Sequence, residues 1–280
     1  MGSDQQLPWR GPGGDRPDLP LPPARMPLRS HGQTRKRWRY VGLYGPDVML
    51  CAARAQVGPF SQCFWQFWDG AGHRREANTR LRPGSAEVRM DGAEIEIEAR
   101  DLRASLRLGD AEPVEAICPS GSGWGWTRKR SGVPITGTIE TAHGRWQVDG
   151  HGVDDESAGY QKRHTSWHWS AGIGRGVDGR PLAWNLVEGI NDPAANSERA
   201  IWVDGRPNEP APVAFDGLGA VEFADGSLLS FTPESERARS DNFLVFRSRY
   251  RHLFGGFSGS LAGIELAEGF GVMEQHDAVW

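Results

Sequence analysis

An all-β fold is predicted by three features of the sequence. The 280 residues include 37 glycines and 19 prolines, so the chain is interrupted every few positions, as short strands with tight turns require. Asp-Gly pairs at 69–70, 91–92, 178–179, 204–205 and 225–226 separate runs of alternating or β-branched residues, the composition of hairpin turns. The 12 tryptophans imply wide apolar walls or stacked strands.

The bulk numbers narrow the function classes. Hydrophobic residues make up 38%, enough for a core. A net charge of -4 and a pI near 6.1 argue against nucleic acid as the main partner. Cys51, Cys63 and Cys118 form no C-x-x-C pair, so neither a disulfide framework nor a zinc knuckle is expected. A reduced, cytoplasmic setting follows, because the first residues lack a cationic start with an apolar run. No stretch reaches the ~18 apolar residues of a membrane span.

Along the chain, residues 1–30 read as an extended Pro/Gly-rich arm, since proline removes donors and fixes φ. Its Trp9, Leu19, Leu21 and Met26 suggest an arm pinned on the surface rather than a free tail. An N-terminal half follows over 31–149, with strands at 41–51, 63–68, 86–90, 94–99 and 104–108. The segment Glu94-Ile95-Glu96-Ile97-Glu98 alternates strictly and so has one wet and one buried face. The composition shift at Asp149-Gly150-His151-Gly152 reads as a half-way linker. A C-terminal half over 150–280 then has strands at 165–171, 181–188, 200–203, 219–223, 228–231, 243–248 and 264–273. Only 235–246 offers a candidate short helix. Strands at this spacing predict a sandwich or barrels rather than βαβ units.

Several long segments then resemble a known family. These are LPWRGPGGDRPDLPLPPARM (7–26), KRWRYVGLYGPDVMLCAA (36–53), ICPSGSGWGWTRK (117–129), RHTSWHWSAGIG (163–174), DGRPLAWNLVEGINDP (178–193), SERAIWVDGRPNE (197–209) and ELAEGFGVMEQHDAVW (265–280). Together they resemble the bacterial domain of unknown function 2804 family over nearly the whole chain. On strand layout and the ending Gly269-Phe270-Gly271, that family is similar to the double lipocalin-like proteins. That group includes carotenoid hydratases of the hydroxyneurosporene synthase type, tocopherol-cyclase-like proteins and fungal pericyclases. The resemblance implies two lipocalin-like, or calycin-like, antiparallel barrels or half-barrels packed together. It transfers no catalytic residue.

Closed barrels hold apolar ligands, and a carboxyl in such a wall has a raised pKa and can act as a general acid. By the period-two rule Leu182, Trp184, Leu186 and Glu188 share one face. So do Ile264, Leu266, Glu268, Phe270 and Val272, continued by Glu274 and His276. Glu188 and Glu268 are therefore the candidate acids, the ordinary alternative being solvated or arginine-paired rim positions. In the strand at 163–171, His164, Ser166, His168 and Ser170 face one way and Thr165, Trp167, Trp169 and Ala171 the other. His164 and His168 lie roughly 13 Å apart on a strand, too far for one metal ion, and are instead candidate acid–base groups. The acids Asp154, Asp155 and Glu156 read as loop residues paired with arginine, and Asn191-Asp192-Pro193 as a turn. The basic-aromatic runs 35–40 and 124–130 read as strands with one solvated face rather than as RNA-stacking surfaces. Ligand-wall candidates are Trp124, Trp126, Tyr160, Trp167, Trp169, Trp184, Trp202 and Phe270. No metal site and no cofactor fingerprint is found; the expected partner is an apolar, isoprenoid- or lipid-like small molecule. Three readings stay open: a binding protein, an acid-catalysed hydratase, cyclase or isomerase, and a structural protein with filled barrels.

Overall fold

The computed structural model describes residues 7–11, 16–22, 24–78, 87–243 and 246–280, and every regular element among them is a strand. No helix among them is long and apolar enough to cross a membrane. Residue 86 and residues 244–245 of two expected strands, and parts of the leader, lie outside the described residues. The N-terminal strands are β1 (Trp9–Gly11), β2 (Arg29–Ser30), β3 (Gln33–Thr34), β4 (Lys36–Tyr44), β5 (Val48–Val57), β6 (Phe60–Asp69), β7 (Arg74–Asn78), β8 (Val88–Asp91), β9 (Glu94–Glu98), β10 (Leu102–Leu108), β11 (Val114–Ser120), β12 (Gly123–Thr141) and β13 (Gly144–Gly159). The C-terminal strands are β14 (His164–Gly176), β15 (Pro181–Glu188), β16 (Ala200–Val203), β17 (Arg206–Asn208), β18 (Ala214–Asp216), β19 (Ala220–Glu222), β20 (Leu228–Phe243), β21 (Phe246–Leu261) and β22 (Ile264–Val279).

Both large sheets obey one rule. Each is built on an antiparallel path whose earliest strand pairs with its last, β4 with β13 and β14 with β22, and in the N-terminal sheet β11 branches off β12 and carries β1. The edges then fall mid-sequence, at β7 and β8 in one sheet and at β17 and β18 in the other. A meander joined at its ends and open at one seam is a curled half-barrel.

Alternation along the joined strands builds three cores. Val41 and Leu43 of β4 turn into the N-terminal half with Leu50, Phe67, Ile95 and Ile135. Leu182, Trp184 and Leu186 of β15 fill the C-terminal half with Phe231, Leu253 and Met273. Tyr40 and Tyr44 of β4 face outward and meet Cys51, Val153, Trp169, Ala171, Phe254 and Val272 in a third core between the halves. Central strands are therefore buried on both faces.

The leader is an arm laid on the surface. β1 pairs with β11, Arg16 donates to Glu115 at 2.8 Å, and Leu21 and Met26 are buried against Ile117, Trp124, Trp126 and Tyr160. Tyr160 donates its hydroxyl to the Pro27 carbonyl at 2.7 Å. Trp124, Trp126 and Tyr160, expected as ligand walls, thus seat the arm.

Three further expectations are corrected. Residues 235–246 are extended wherever described, most of them in β20, whose partner is β21. Asp149, Gly150, His151 and Gly152 lie inside β13, and the sheet changes between Gly159 and His164. Gly152 is there for contact rather than for a turn: a Cβ on it would stand 1.8 Å from the Gly42 carbonyl oxygen of β4. Finally, β22 has a bulge at Ala267, because Arg175 pairs with Glu268 while Gly176 pairs with Leu266. The extra residue flips the side-chain parity. Leu266 thus faces the C-terminal core, while Phe270 and Val272 face the core between the halves.

The contact at Gly152 is testable. Gly152→Ala should lower the urea-unfolding free energy by about 2 kcal/mol, the cost of forcing two backbones apart in a packed site. Gly45→Ala, where a Cβ meets nothing closer than 3.7 Å, should change it little. Equal effects for the two variants would refute the close-approach account.

Candidate functional site

At one end of the interface the halves part to leave a cleft of about 170 Å³. β4 and β5 supply one wall; β14, β21 and β22 supply the other. Trp38 of β4 and Trp167 of β14 face it with ring planes 7° apart and centroids 6.5 Å apart. Tyr40 meets Trp169 edge-on at 5.2 Å. The walls are thus aromatic, and they come from both halves.

One carboxyl is sealed into this surface. Glu274 of β22 lies opposite Trp169 on one neighbouring strand and His252 on the other. It is buried and accepts the Trp167 indole N–H at 2.9 Å. Burial pushes its pKa up to about 7; hydrogen bonding from Trp167 and Tyr250, and after them the Arg237 charge, only partly oppose this. The Tyr250 hydroxyl is buried beside the carboxyl and turns its hydrogen towards it, short of full hydrogen-bonding geometry. Arg237 of β20 lies over the rings of Phe64 and Tyr250, at 4.5 and 5.1 Å, and is 3.8 Å from Glu76.

The histidines near Glu274 are neutral. Burial draws His252 down to about 3 and His276 down to about 4. His252 Nδ1 faces Gln66 Oε1 at 2.9 Å, so Nδ1 carries the proton and Nε2 is the acceptor. Tyr40 must then donate to Nε2, at 3.0 Å, and accept from Tyr44, also at 3.0 Å. Gln66 finishes the chain by donating to Ser235 at 3.2 Å. His276 is bonded to Ser248 at 2.8 Å.

A charged cluster forms the inner end of the cleft. Lys129 of β12 holds Asp155 of β13 at 2.5 Å and Glu198, from the other half, at 3.3 Å. Asn191 donates to Glu198 at 2.9 Å. Burial works against the ammonium of Lys129, but the two carboxylates outweigh it and its pKa is raised; burial also raises both acids.

The expected site residues scatter. Glu268 is exposed and 3.6 Å from Arg175, because the bulge at Ala267 sends it outward at the far end of the interface. There it lines a second groove of about 630 Å³ with Phe270 and Trp202. Trp202 also bonds the Glu112 carbonyl at 2.8 Å, tying the halves together. Trp184 is buried in the C-terminal core and donates to Ser170 at 3.0 Å. Glu188 and His168 do come together, at 3.5 Å, at the rim of the C-terminal half and away from the cleft. His164 is exposed and pairs with Asp277 at 2.7 Å. Only Trp167 and Trp169 line the cleft. Asp154, Asp155 and Glu156 belong to β13 and not to a loop. Asp154 is held by Arg39 and Arg130, at 2.8 and 2.6 Å. Among the described residues no group of three or more His, Cys, Asp or Glu could hold a metal ion. Tyr250, Arg237, Lys129 and Glu198 went unnoticed in the sequence. The signal for Tyr250 was the alternation Arg247-Ser248-Arg249-Tyr250-Arg251-His252, which puts every second residue on a dry face.

Residues 76–280 match the family described as Domain of unknown function (DUF2804). No curated protein matches the sequence. Among solved structures, one assigned to AttH from Nitrosomonas europaea is 13% identical with a TM-score of 0.51, over 91% of this chain and 97% of its own. Kievitone hydratase from Nectria haematococca is 7% identical with a TM-score of 0.53, over 88% of this chain and 89% of its own. At these identities the likeness is one of fold.

Glu274 gives stability a defined pH dependence. Between the ordinary 4.5 and about 7 the folded chain keeps a proton that the unfolded chain has released. The contribution of Glu274 is therefore greatest at low pH and falls across that window, by an amount on the order of 3 kcal/mol. His252 and His276 act in the opposite sense, losing stability as pH falls below 6.5, but they do so in any Glu274 variant as well. Urea unfolding should show Glu274→Gln gaining on wild type as pH rises from 4.5 to 7. Parallel curves would refute the raised pKa.

Proposed function

The chain belongs to the DUF2804 family, and for this member we propose acid–base catalysis on a small, largely apolar, unsaturated molecule bound between the half-barrels. One observation carries the reading: the buried Glu274 carboxyl, its pKa raised to about 7, lies in an aromatic wall beside an indole, a phenol and uncharged histidines. That is the state a general acid needs at physiological pH.

In the reaction, Glu274 gives its proton to one carbon of a double bond, whose π pair forms the new C–H bond. The neighbouring carbon, now electron-poor, takes the oxygen of water. The water's surplus proton returns to the Glu274 carboxylate, so the cycle closes without an external acid. Facing ring surfaces such as those of Trp38 and Trp167 stabilise positive charge developing on carbon. The fold neighbour from Nectria haematococca is a hydratase by name, which is the same class of reaction. Binding without turnover is the second reading. It rests on the same aromatic walls and needs no role for Glu274.

Native mass spectrometry of the protein purified from its own host should reveal a co-purifying molecule. That molecule, incubated with the protein in heavy-oxygen water, should gain the label. Glu274→Gln should slow this by a factor of about 10²–10⁴, the usual share of a general acid, while the exposed Glu268→Gln should not. A molecule retained by wild type without turnover would favour binding alone; wild-type turnover by Glu274→Gln would end the catalytic proposal.

A further inference from the structure

The Tyr250 hydroxyl is the unused group in this site. Its residue lines the cleft, its oxygen is buried, and the one side chain it turns to is the Glu274 carboxyl, which it does not meet at full hydrogen-bonding geometry. A buried donor so weakly held is rare in native proteins unless it has a use. Burial holds the phenol far from ionisation, so it offers a hydrogen at every physiological pH. The Glu274 carboxyl beside it, when protonated, offers a second. Both groups therefore suit an acceptor oxygen. A carboxylate there would meet Glu274 as a like charge whenever Glu274 ionises, whereas a neutral carbonyl has no such penalty. The nearly parallel faces of Trp38 and Trp167 complement a flat body better than a branched one.

We propose that the cleft takes a planar, conjugated carbonyl compound, with the Tyr250 hydroxyl donating to the carbonyl oxygen while the conjugated system lies along Trp38 and Trp167. This deepens the catalytic reading above and names its substrate class. It also stands as a binding assignment by itself. A hydrogen bond at the carbonyl polarises the conjugated double bond, so in such a substrate the water oxygen bonds to the β-carbon while the π pair passes to the carbonyl as an enolate held by Tyr250. Glu274 then gives its proton to the α-carbon, and its carboxylate takes the water's surplus proton. Tyr250 thus acts on the substrate directly and is a catalytic residue wherever turnover occurs.

The test uses para-dimethylaminobenzylideneacetone, a coloured enone whose absorption moves to the red when its carbonyl accepts a hydrogen bond. Bound to the wild-type protein, it should absorb to the red of its position in an apolar solvent, with a lowered carbonyl stretch in the infrared. Tyr250→Phe should lose that shift and bind about tenfold more weakly, as expected for one hydrogen bond. The hydrocarbon analogue without the carbonyl should bind both proteins equally and weakly. Failure of the enone to bind, a carbonyl stretch unchanged on binding to wild type, or an identical red shift in Tyr250→Phe would each overturn the proposal. The stretch is read on wild type and so does not depend on the variant's folding. Glu274→Gln separates the two readings: a red shift that survives there and is lost in Tyr250→Phe supports this assignment whether or not the host molecule is ever turned over.

Discussion

Two half-barrels with apolar outer faces must find one way to meet, and the ammonium of Lys129 selects it. Lys129 and Asp155 belong to the N-terminal sheet, and Glu198 comes from the other half. A buried ion group is a poor source of net stability, because desolvation offsets most of the attraction. It is strict about position, however, since a shift of either sheet would strand a charge in a dry place. Asn191 and Ser157 take up further carboxylate oxygens, so each displacement would also break hydrogen bonds. Burial raises both acids, and the one ammonium they share opposes that shift in each.

That fixed contact converts an outside into an inside. The outer face of a curled sheet normally meets water and carries polar side chains. Here β4, β13, β14 and β22 are covered on both faces, and the cleft is the place where the cover is incomplete. Glu274 loses water without entering a barrel. The site is therefore made by the packing of two sheets, and neither half contains it alone.

The sequence made the architecture legible because turns and alternation are local. Asp-Gly pairs, the strict alternation at 94–98, and the polar and aromatic faces of β14 all follow from the period of two. The site was less legible, for two physical reasons. A single extra residue at Ala267 reverses the parity of β22, so Glu268 and Phe270 were grouped with Leu266 although they face the other way. Period two also tells which residues share a face but not what covers it. The sequence makes Trp124, Trp126 and Tyr160 ligand walls, whereas the arm is what covers them. Glu274 stood in the same stripe as Glu268 and was the less favoured of the two, because the approach of a second sheet leaves no mark on a single strand.

The interface thus holds two populations of buried carboxyl with opposite surroundings. Asp155 and Glu198 share a cation within bonding distance, and their geometry is spoken for. Glu274 has no such partner: its nearest neighbours are an indole, a phenol and histidines that burial keeps uncharged. Arg237 lies near enough to pull its pKa down, yet that pull ranks last among the influences on Glu274, and the guanidinium is already spread over two rings and Glu76. A purely structural carboxyl would be better served by a lysine like the one its neighbours share. Withholding a cation from Glu274 while giving one to Asp155 leaves one acid with a raised pKa beside another that is fixed, and that is the separation of roles the proposed proton transfer would use.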